Sequence, residues 1–324
     1  MRAIIPVAGF GSRLRPHTYT LPKVLLNVAG RPIIGHILDK IIADGFDEAT
    51  IIVGYLGDQI REYILKNYDI RFDFIEQAEP EGLAQAIYLA RSTFSTQPVL
   101  IILGDTIFDV DLKPVLESGC SSIGVKHVED PRRFGVVEIQ DGHISRLVEK
   151  PEHPASNLAI VGLYWIQKPK LLEACIEELF RTGARTRGEY QLTDALQRMI
   201  DRGEKLKAFP IDGWYDCGKP ETLLATNRHL LERKQEKVER DGSVIVPPVY
   251  IAESAAITRS VIGPYATIAD HAVVSDSIIR NSIISDGAQV TKVLLEDSLV
   301  GSNGVVDGAF KRINIGDSSE IDFH

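Results

Sequence analysis

Two textures of apolar residue divide the chain. Through the first two thirds of the chain, short apolar runs alternate with stretches whose apolar residues recur at helical spacing. Ala3-Ile4-Ile5-Pro6-Val7-Ala8 predicts a strand buried on both faces. Residues 32–43 put Ile33, Ile34, Ile37, Leu38, Ile41 and Ile42 on one side of a predicted helix. The alternation continues with a strand at 49–53, a helix around 59–66, a strand at 72–75, a helix around 83–92 and a strand at 99–103. This order predicts an α/β fold with a doubly wound, mostly parallel sheet covered by helices. Ligands of such sheets collect beyond the carboxyl ends of the strands. Three segments lie just after strands in that way: residues 9–15, 77–82 and 104–105.

From residue 222 to 240 the pattern is helical and highly charged, with Arg228, Glu232, Arg233, Lys234, Glu236, Lys237, Glu239 and Arg240. It reads as a solvated connecting helix. After Gly242 the texture changes. Apolar residues recur every five or six positions at Ile251, Ile257, Ile262, Ile268, Val274, Ile279, Ile284, Val290, Leu295, Val300 and Val306. So short a period excludes a helical solenoid and matches the hexapeptide class, in which each apolar residue points into a prism of short parallel strands. Hairpins would instead show a period of two and Asn-Gly-type turns. A left-handed parallel β-helix is therefore expected, its coils imperfect where the step slips from six to five. The expected organisation is a catalytic domain over 1–228, a connecting helix over 229–242, the β-helix over 243–316 and a tail over 317–324.

Length alone favours two domains over one for 324 residues. The net charge of −9 argues against a nucleic-acid partner. It leaves small anions open, since a phosphate site needs only a few local cations and oriented N–H groups. Cys120, Cys175 and Cys217 are odd in number and far apart, with neither a zinc pair nor a disulfide framework. A reducing cytoplasm is expected. No apolar stretch reaches membrane-spanning length and no signal-peptide pattern is present. Tyr164, Trp165 and Cys217 read as packing residues, and the eight histidines show no metal-ligand spacing.

The chemistry starts at Gly9-Phe10-Gly11-Ser12-Arg13-Leu14-Arg15, where two glycines let backbone N–H groups approach a phosphate chain. Leu14 stands where a dinucleotide fingerprint has its third glycine, and no Gly-Lys-Ser/Thr comes after it, so neither a Rossmann site nor a P-loop is supported. Further along the chain stand Leu21-Pro22-Lys23, then Glu76-Gln77-Ala78-Glu79-Pro80-Glu81-Gly82-Leu83-Ala84-Gln85-Ala86 and Leu103-Gly104-Asp105. Phe134-Gly135-Val136-Val137, Glu149-Lys150-Pro151, Val161-Gly162-Leu163-Tyr164, Arg187-Gly188-Glu189 and Trp214-Tyr215-Asp216-Cys217-Gly218 complete the series. In type and order these motifs resemble the sugar-nucleotide pyrophosphorylase (sugar-1-phosphate nucleotidylyltransferase) family over roughly residues 1–225. A hexapeptide tail is common among its longer members.

The resemblance implies an enzyme in which a sugar phosphate oxygen attacks the α-phosphorus of a nucleoside triphosphate and pyrophosphate leaves. Such transfer needs positioning and charge stabilisation rather than a covalent nucleophile. It implies that Asp105 and Asp216 meet at one magnesium ion, that Arg13 holds the β/γ end of the triphosphate with Gly9, Gly11 and Ser12, and that Lys23 stabilises the transferring phosphorus. Lys150 and Arg187 become the contacts to the sugar phosphate, with Glu149 and the backbone of Gly135 and Val161 at the sugar hydroxyls. Gln77 can offer an amide donor and acceptor to a pyrimidine edge, and Gly82 permits close approach of the backbone. The run after Gln77 looks most like the glucose-1-phosphate thymidylyltransferase branch. Thymine and uracil differ there by one methyl, worth only about 1–3 kcal/mol, so dTTP and UTP both remain open. Three rivals stand beside this reading: an acyltransferase built on the β-helix, a degenerate scaffold, and a mannose-1-phosphate guanylyltransferase. Against the first, the tail offers about ten coils' worth of apolar positions and only His271 as a candidate base. Strand edges at the end of the prism make the tail an expected homo-oligomer contact.

Overall fold

The computed structural model describes residues 1–94, 97–233 and 238–309. The expected tail over 317–324 and the last part of the expected β-helix lie outside these residues. The described chain divides into two compact units. One comprises Met1–Leu26 and Arg31–Leu223, and the other comprises Asn27–Gly30 together with the chain from Leu224 onward.

In the N-terminal unit, β1 (Arg2–Pro6) is followed by the short strands β2 (Asn27–Val28) and β3 (Arg31–Pro32) and by α1 (Ile33–Ala43). Then come β4 (Glu48–Val53), α2 (Gly57–Asn67), β5 (Arg71–Glu76), α3 (Leu83–Leu89) and β6 (Val99–Ile102). All the expected early elements form within a few residues of their predicted ends. Strand β1 lies between β4 and β6, parallel to both, with Ile4 opposite Thr50 on one side and Ile101 on the other. Its residues Ala3, Ile4 and Ile5 are fully buried, as a strand flanked on both sides and covered on both faces requires.

Beyond β6 the sheet turns mixed. After β7 (Thr106–Asp109) and α4 (Lys113–Glu117) come β8 (Ser121–His127), β9 (Gly135–Gln140), β10 (His143–Glu149) and β11 (Leu158–Ile166). Strand β11 runs antiparallel to β6, β8 and β9, and β10 pairs antiparallel with β9. Helices α5 (Pro169–Thr182) and α6 (Leu192–Asp201) bury Leu172, Cys175, Ile176 and Leu179, and Leu192, Ala195, Leu196 and Met199, at steps of three and four. Strand β12 (Leu206–Pro210) returns parallel to β8, and β13 (Gly213–Asp216) pairs with β7. Tyr164 and Trp165 on β11 are buried, as is Cys217, and none of the three cysteines forms a disulfide.

Helix α7 spans Pro220–Glu232. The charged helix expected over 229–242 therefore continues only to Glu232. Residues 238–240 are not helical, and 234–237 lie outside the described residues.

The C-terminal unit is a left-handed β-helix of three parallel four-stranded sheets. All eleven apolar positions read from the sequence fall into three stacked rows. Ile251, Ile268, Ile284 and Val300 pair on one face. Ile257, Val274, Val290 and Val306 pair on the second. Ile262, Ile279 and Leu295 pair on the third, where Ile245 begins the row. Each apolar position marks one face, so three make a coil. The count of about ten coils is thereby corrected to four among the described residues.

The slips follow a pattern. The step from the second face to the third is five residues in each of the three places the described residues show it, Ile257 to Ile262, Val274 to Ile279 and Val290 to Leu295. The step from the third face to the first is six at Ile262 to Ile268 and five at Ile279 to Ile284 and Leu295 to Val300. One left-handed residue turns the corner between the second and third faces each time: Arg259, Asp276 and Lys292 recur there with φ of 45°, 51° and 54°, and the six-residue corners also carry one, as at Tyr265, His271 and Asn303. The five-residue step from the second face to the third is thus a built feature of the coil.

Candidate active site

Three loops leave the carboxyl ends of parallel strands and line one recess of about 450 Å³: the segment after β1 (Gly9, Gly11, Ser12, Arg13), the segment after β5 (Gln77, Pro80, Gly82) and Leu103-Gly104-Asp105 after β6. Lys23 joins them. Gly11 has φ +62°, and a Cβ there would lie 3.0 Å from both Lys23 Cβ and Thr18 Cγ2. Only glycine meets both conditions comfortably, so the glycine loop and the lysine segment can close on each other. Thr18 Oγ1 donates to the Gly11 carbonyl at 2.9 Å and fixes that approach.

A second recess of about 620 Å³ adjoins the first and shares Arg13, Leu83, Leu103 and Asp105 with it. Its remaining lining includes Gly135, Glu149, Lys150, Val161, Thr193, Asp216 and Lys219. Asp105 and Asp216, from distant parts of the sequence, are brought to the lining of this one recess by a strand ladder. Antiparallel pairing sets Asp216 of β13 opposite Thr106 of β7, and the Cys217 N–H donates to the Asp105 carbonyl at 3.0 Å. Arg13 reaches the same place. A Cβ on Gly218 would lie 2.8 Å from Asp216 Oδ1 and 3.1 Å from Arg13 Nη2.

Lys23 Nζ donates to Asp105 Oδ2 at 2.8 Å, the lysine side chain 9% exposed and the carboxylate 38%. Burial pushes the Asp105 carboxyl up, but the Lys23 charge and hydrogen bond, with Thr106 and Arg13, outweigh it and hold the group below its ordinary value. Asp105 is therefore a carboxylate at neutral pH. Tyr164 borders the same cavity, its phenol pushed well up by burial and then by Glu149 and Asp105. It stays protonated there, so its packing role comes with a place in the cavity wall.

On the opposite side Glu149, at the end of β10, accepts from Thr193 Oγ1 at 2.7 Å and pairs with Lys150 Nζ at 3.3 Å. Arg187 is exposed and donates through Nη2 to the Lys150 carbonyl at 2.8 Å. It stands at the rim, outside the cavity lining. Gln77 is buried, with its amide directed to Gln85 and, at 3.4 Å, to the Gly82 carbonyl.

Of the lining residues that escaped the sequence reading, four bear on the charged groups of the site. Arg133 and Lys219 bring further cations to the second recess, Thr193 holds Glu149, and Thr222 Oγ1 lies 3.4 Å from Asp216 Oδ2. Lys219 and Arg133 each sit one residue outside a recognised motif, which is a usable signal. Thr193 and Thr222 act through the fold and leave none. Among the described residues no group of three or more His, Cys, Asp or Glu side chains could hold a metal, and no helix is long and apolar enough to cross a membrane.

Comparison with known proteins shows the family. The chain belongs to the nucleotidyl transferase family, whose model matches residues 2–233, and it is a nucleotidyltransferase. Among individual proteins it is similar to the glucose-1-phosphate thymidylyltransferase of Streptomyces antibioticus, at 31% identity over 99% of both chains. It is also similar to the bifunctional protein GlmU of Methanocaldococcus jannaschii, at 34% identity over 94% of this chain and 78% of that one. A solved UDP-glucose pyrophosphorylase in complex with UDP-glucose superposes with a TM-score of 0.63 at 25% identity, covering 72% of this chain and 99% of that one.

Proposed function

We propose that this sugar-1-phosphate nucleotidyltransferase joins dTTP (or UTP) to α-D-glucose 1-phosphate, giving the nucleotide sugar and pyrophosphate. The observation that carries the reading is the pair of adjoining recesses that share Arg13 and Asp105. One has the glycine loop and an amide platform suited to a triphosphate and its base. The other has a carboxylate beside a lysine, suited to hydroxyls beside a phosphate.

In this assignment the α-phosphorus lies where the recesses join. Gly9, Gly11, Ser12 and Arg13 bind the β- and γ-phosphates of the leaving pyrophosphate. Lys23, held by Asp105, offers its ammonium to the oxygens that gain charge in the transition state. Lys150 and Arg187 hold the sugar phosphate so that its oxygen faces the α-phosphorus in line. Glu149 accepts hydrogen bonds from sugar hydroxyls, oriented by Thr193, while the backbone of Gly135 and Val161 contacts the sugar from the far side. Gln77 and the Gly82 backbone read the pyrimidine edge.

Nucleotidyltransferases of this family generally work with a divalent metal. Asp105 and Asp216 fit magnesium, which takes one or two carboxylates and completes its shell with water and phosphate oxygens. A magnesium ion held by these two carboxylates would supply positive charge against the α-phosphate.

The enzyme works in a reducing compartment, in keeping with three cysteines outside any disulfide. It assembles as a homo-oligomer through the β-helix. Val244, Val261, Ile278 and Leu294 line up in register on one face, each beside an inward-pointing isoleucine or leucine, and Leu294 is 76% exposed. The coils carry no inserted loop in the described residues that would build an acyltransferase site around His271.

Pyrophosphate release with magnesium, crossing dTTP, UTP, CTP, GTP and ATP against glucose, mannose, galactose and N-acetylglucosamine 1-phosphates, tests the assignment. Strong turnover with dTTP and glucose 1-phosphate is expected. Turnover with another pair alone would overturn the base or sugar assignment, and none with any pair would favour the degenerate scaffold.

A further inference from the structure

The turn Asn27–Gly30 belongs to the C-terminal unit, although it begins only four residues after Lys23. Val28 and Ala29 are fully buried. Ala29 takes a left-handed φ of 50° and donates its N–H to Asn227 Oδ1 at 2.8 Å. Asn227, on α7, is itself fully buried. The same oxygen accepts from Thr267 Oγ1 at 2.6 Å, and Nδ2 donates to the Tyr265 carbonyl at 3.1 Å. Gly30, at φ +88°, lies against the Tyr250 ring so closely that a Cβ would stand 2.4 Å from it. Asn27 Oδ1 closes the turn by accepting the Gly30 N–H at 3.0 Å.

A buried amide is costly unless its donors and acceptors are satisfied, and a residue needed only for packing could be leucine. Asn227 instead uses both ends of its amide to bring three chain segments to one point: the turn, α7 and the second coil. Two of those segments lead straight to the site. Between the turn and Lys23 stand only Val24, Leu25 and Leu26. They are wound into a tight turn in which Leu25 N–H donates to the Pro22 carbonyl at 2.9 Å and Leu26 N–H to the Lys23 carbonyl at 3.1 Å. Val24 and Leu26 are buried, so this stretch has little slack. Along α7, Thr222 lies five residues before Asn227 and bonds Asp216.

We propose that Asn227 is a positioning residue for nucleotidyl transfer: by holding the turn Asn27–Gly30 to α7 and the second coil, it fixes where Lys23 stands relative to the α-phosphate. This rests on the reading of Lys23 as the cation at the reacting phosphorus. The C-terminal unit thereby takes part in turnover without contributing a group that touches substrate.

A double-mutant cycle on the full-length enzyme tests it, with kcat and KM measured for both substrates in Lys23→Ala, Asn227→Ala and the double variant. Lys23→Ala should lose about 100-fold in kcat, as removal of one transition-state donor does. Asn227→Ala should lose about tenfold in kcat at nearly unchanged KM, because only an interaction made in the transition state has been displaced. In the Lys23→Ala background the Asn227→Ala change should cost less than about twofold, since residues acting through one another are not additive. Thr267→Val is the milder variant should Asn227→Ala fold poorly. It should lose about threefold in kcat, again only when Lys23 is present, and Thr267→Ser should restore the rate. Additive losses from Asn227→Ala and Lys23→Ala, or an unchanged kcat in both Asn227→Ala and Thr267→Val, would overturn the positioning role. Full activity in Lys23→Ala would instead overturn the role of Lys23 itself.

Discussion

The N-terminal and C-terminal units are organised by opposite means. In the C-terminal unit each coil repeats the last, and every inward residue stacks on its counterpart 16 or 17 positions away. Its stability is a sum of nearly equal neighbour contacts, as repetition implies. In the N-terminal unit no segment repeats, and the residues that matter come from strand ends as far apart as Asp105 and Asp216, joined by the pairing of β7 with β13. Repetition yields a rigid body with few places where chemistry could be concentrated. A sheet with long connections brings carboxylates, cations and bare backbone to one edge. The difference predicts that substitutions in one unit separate cleanly into effects on rate and those in the other into effects on stability, except where Asn227 and the turn Asn27–Gly30 join the two roles.

The largest effect sharpens the contrast. Asp105→Asn keeps the shape of the strand end but removes the charge that Lys23 pairs with. Turnover should fall about 10²–10³-fold, with the thermal midpoint little changed, as steady-state kinetics and a melting curve on the same preparation would show. Next comes Ile279→Ala in the prism. It empties a fully buried position stacked between Ile262 and Leu295. It should cost about 2–5 kcal/mol in the denaturant unfolding of the C-terminal unit while leaving KM for both substrates unchanged at low temperature. A KM change there would break the separation.

Glu149→Gln should raise KM for the sugar phosphate about tenfold with little effect on KM for the nucleotide, since a charged hydrogen-bond acceptor becomes a neutral one worth about 1–2 kcal/mol less. Equal changes in both would place Glu149 outside the sugar recess. The smallest effect is at Arg259, whose hydrogen bonds hold the Asp276 carboxyl below its usual 3.8. Because the folded-state value is depressed, the pair stabilises above the ordinary carboxylate range and loses that contribution as pH falls through it. Arg259→Ala should therefore lower the unfolding midpoint slightly at pH 7 and by less still near pH 3, as exposed pairs contribute little.

Much of the architecture was legible in the chain. The eleven apolar positions of the tail all point inward, because the corner-to-corner period is written directly in local sequence. The early strands and helices came from periodicity for the same reason. The strand ends at residues 9–15, 77–82 and 104–105 do converge on one recess. The hidden part depends on contacts between distant segments. The antiparallel half of the sheet leaves no mark in the order of strands. Thr193 supports Glu149 only because α6 starts beside the end of β10. The grouping of Asn27–Gly30 with the C-terminal unit comes with contacts to residues about two hundred positions away, the buried Asn227 and the ring of Tyr250. From the chain alone, deleting the residues after 242 is expected to change the mass in solution more than the chemistry. The hydrogen bonds of Asn227 to Tyr265 and Thr267 add a second expectation: the truncated protein also loses kcat, by at least as much as Asn227→Ala.

The claim that the residues around Lys23 and Asp105 act by positioning and charge alone, without a covalent intermediate, has one direct test. The enzyme is given dTTP carrying a single sulfur on a stereochemically defined α-phosphorus, with glucose 1-phosphate as acceptor, and the configuration of the nucleotide sugar is read by phosphorus NMR. One in-line displacement predicts inversion at that phosphorus. Retention would mean two displacements through a protein-bound nucleotidyl group, and would contradict the arrangement proposed for this site.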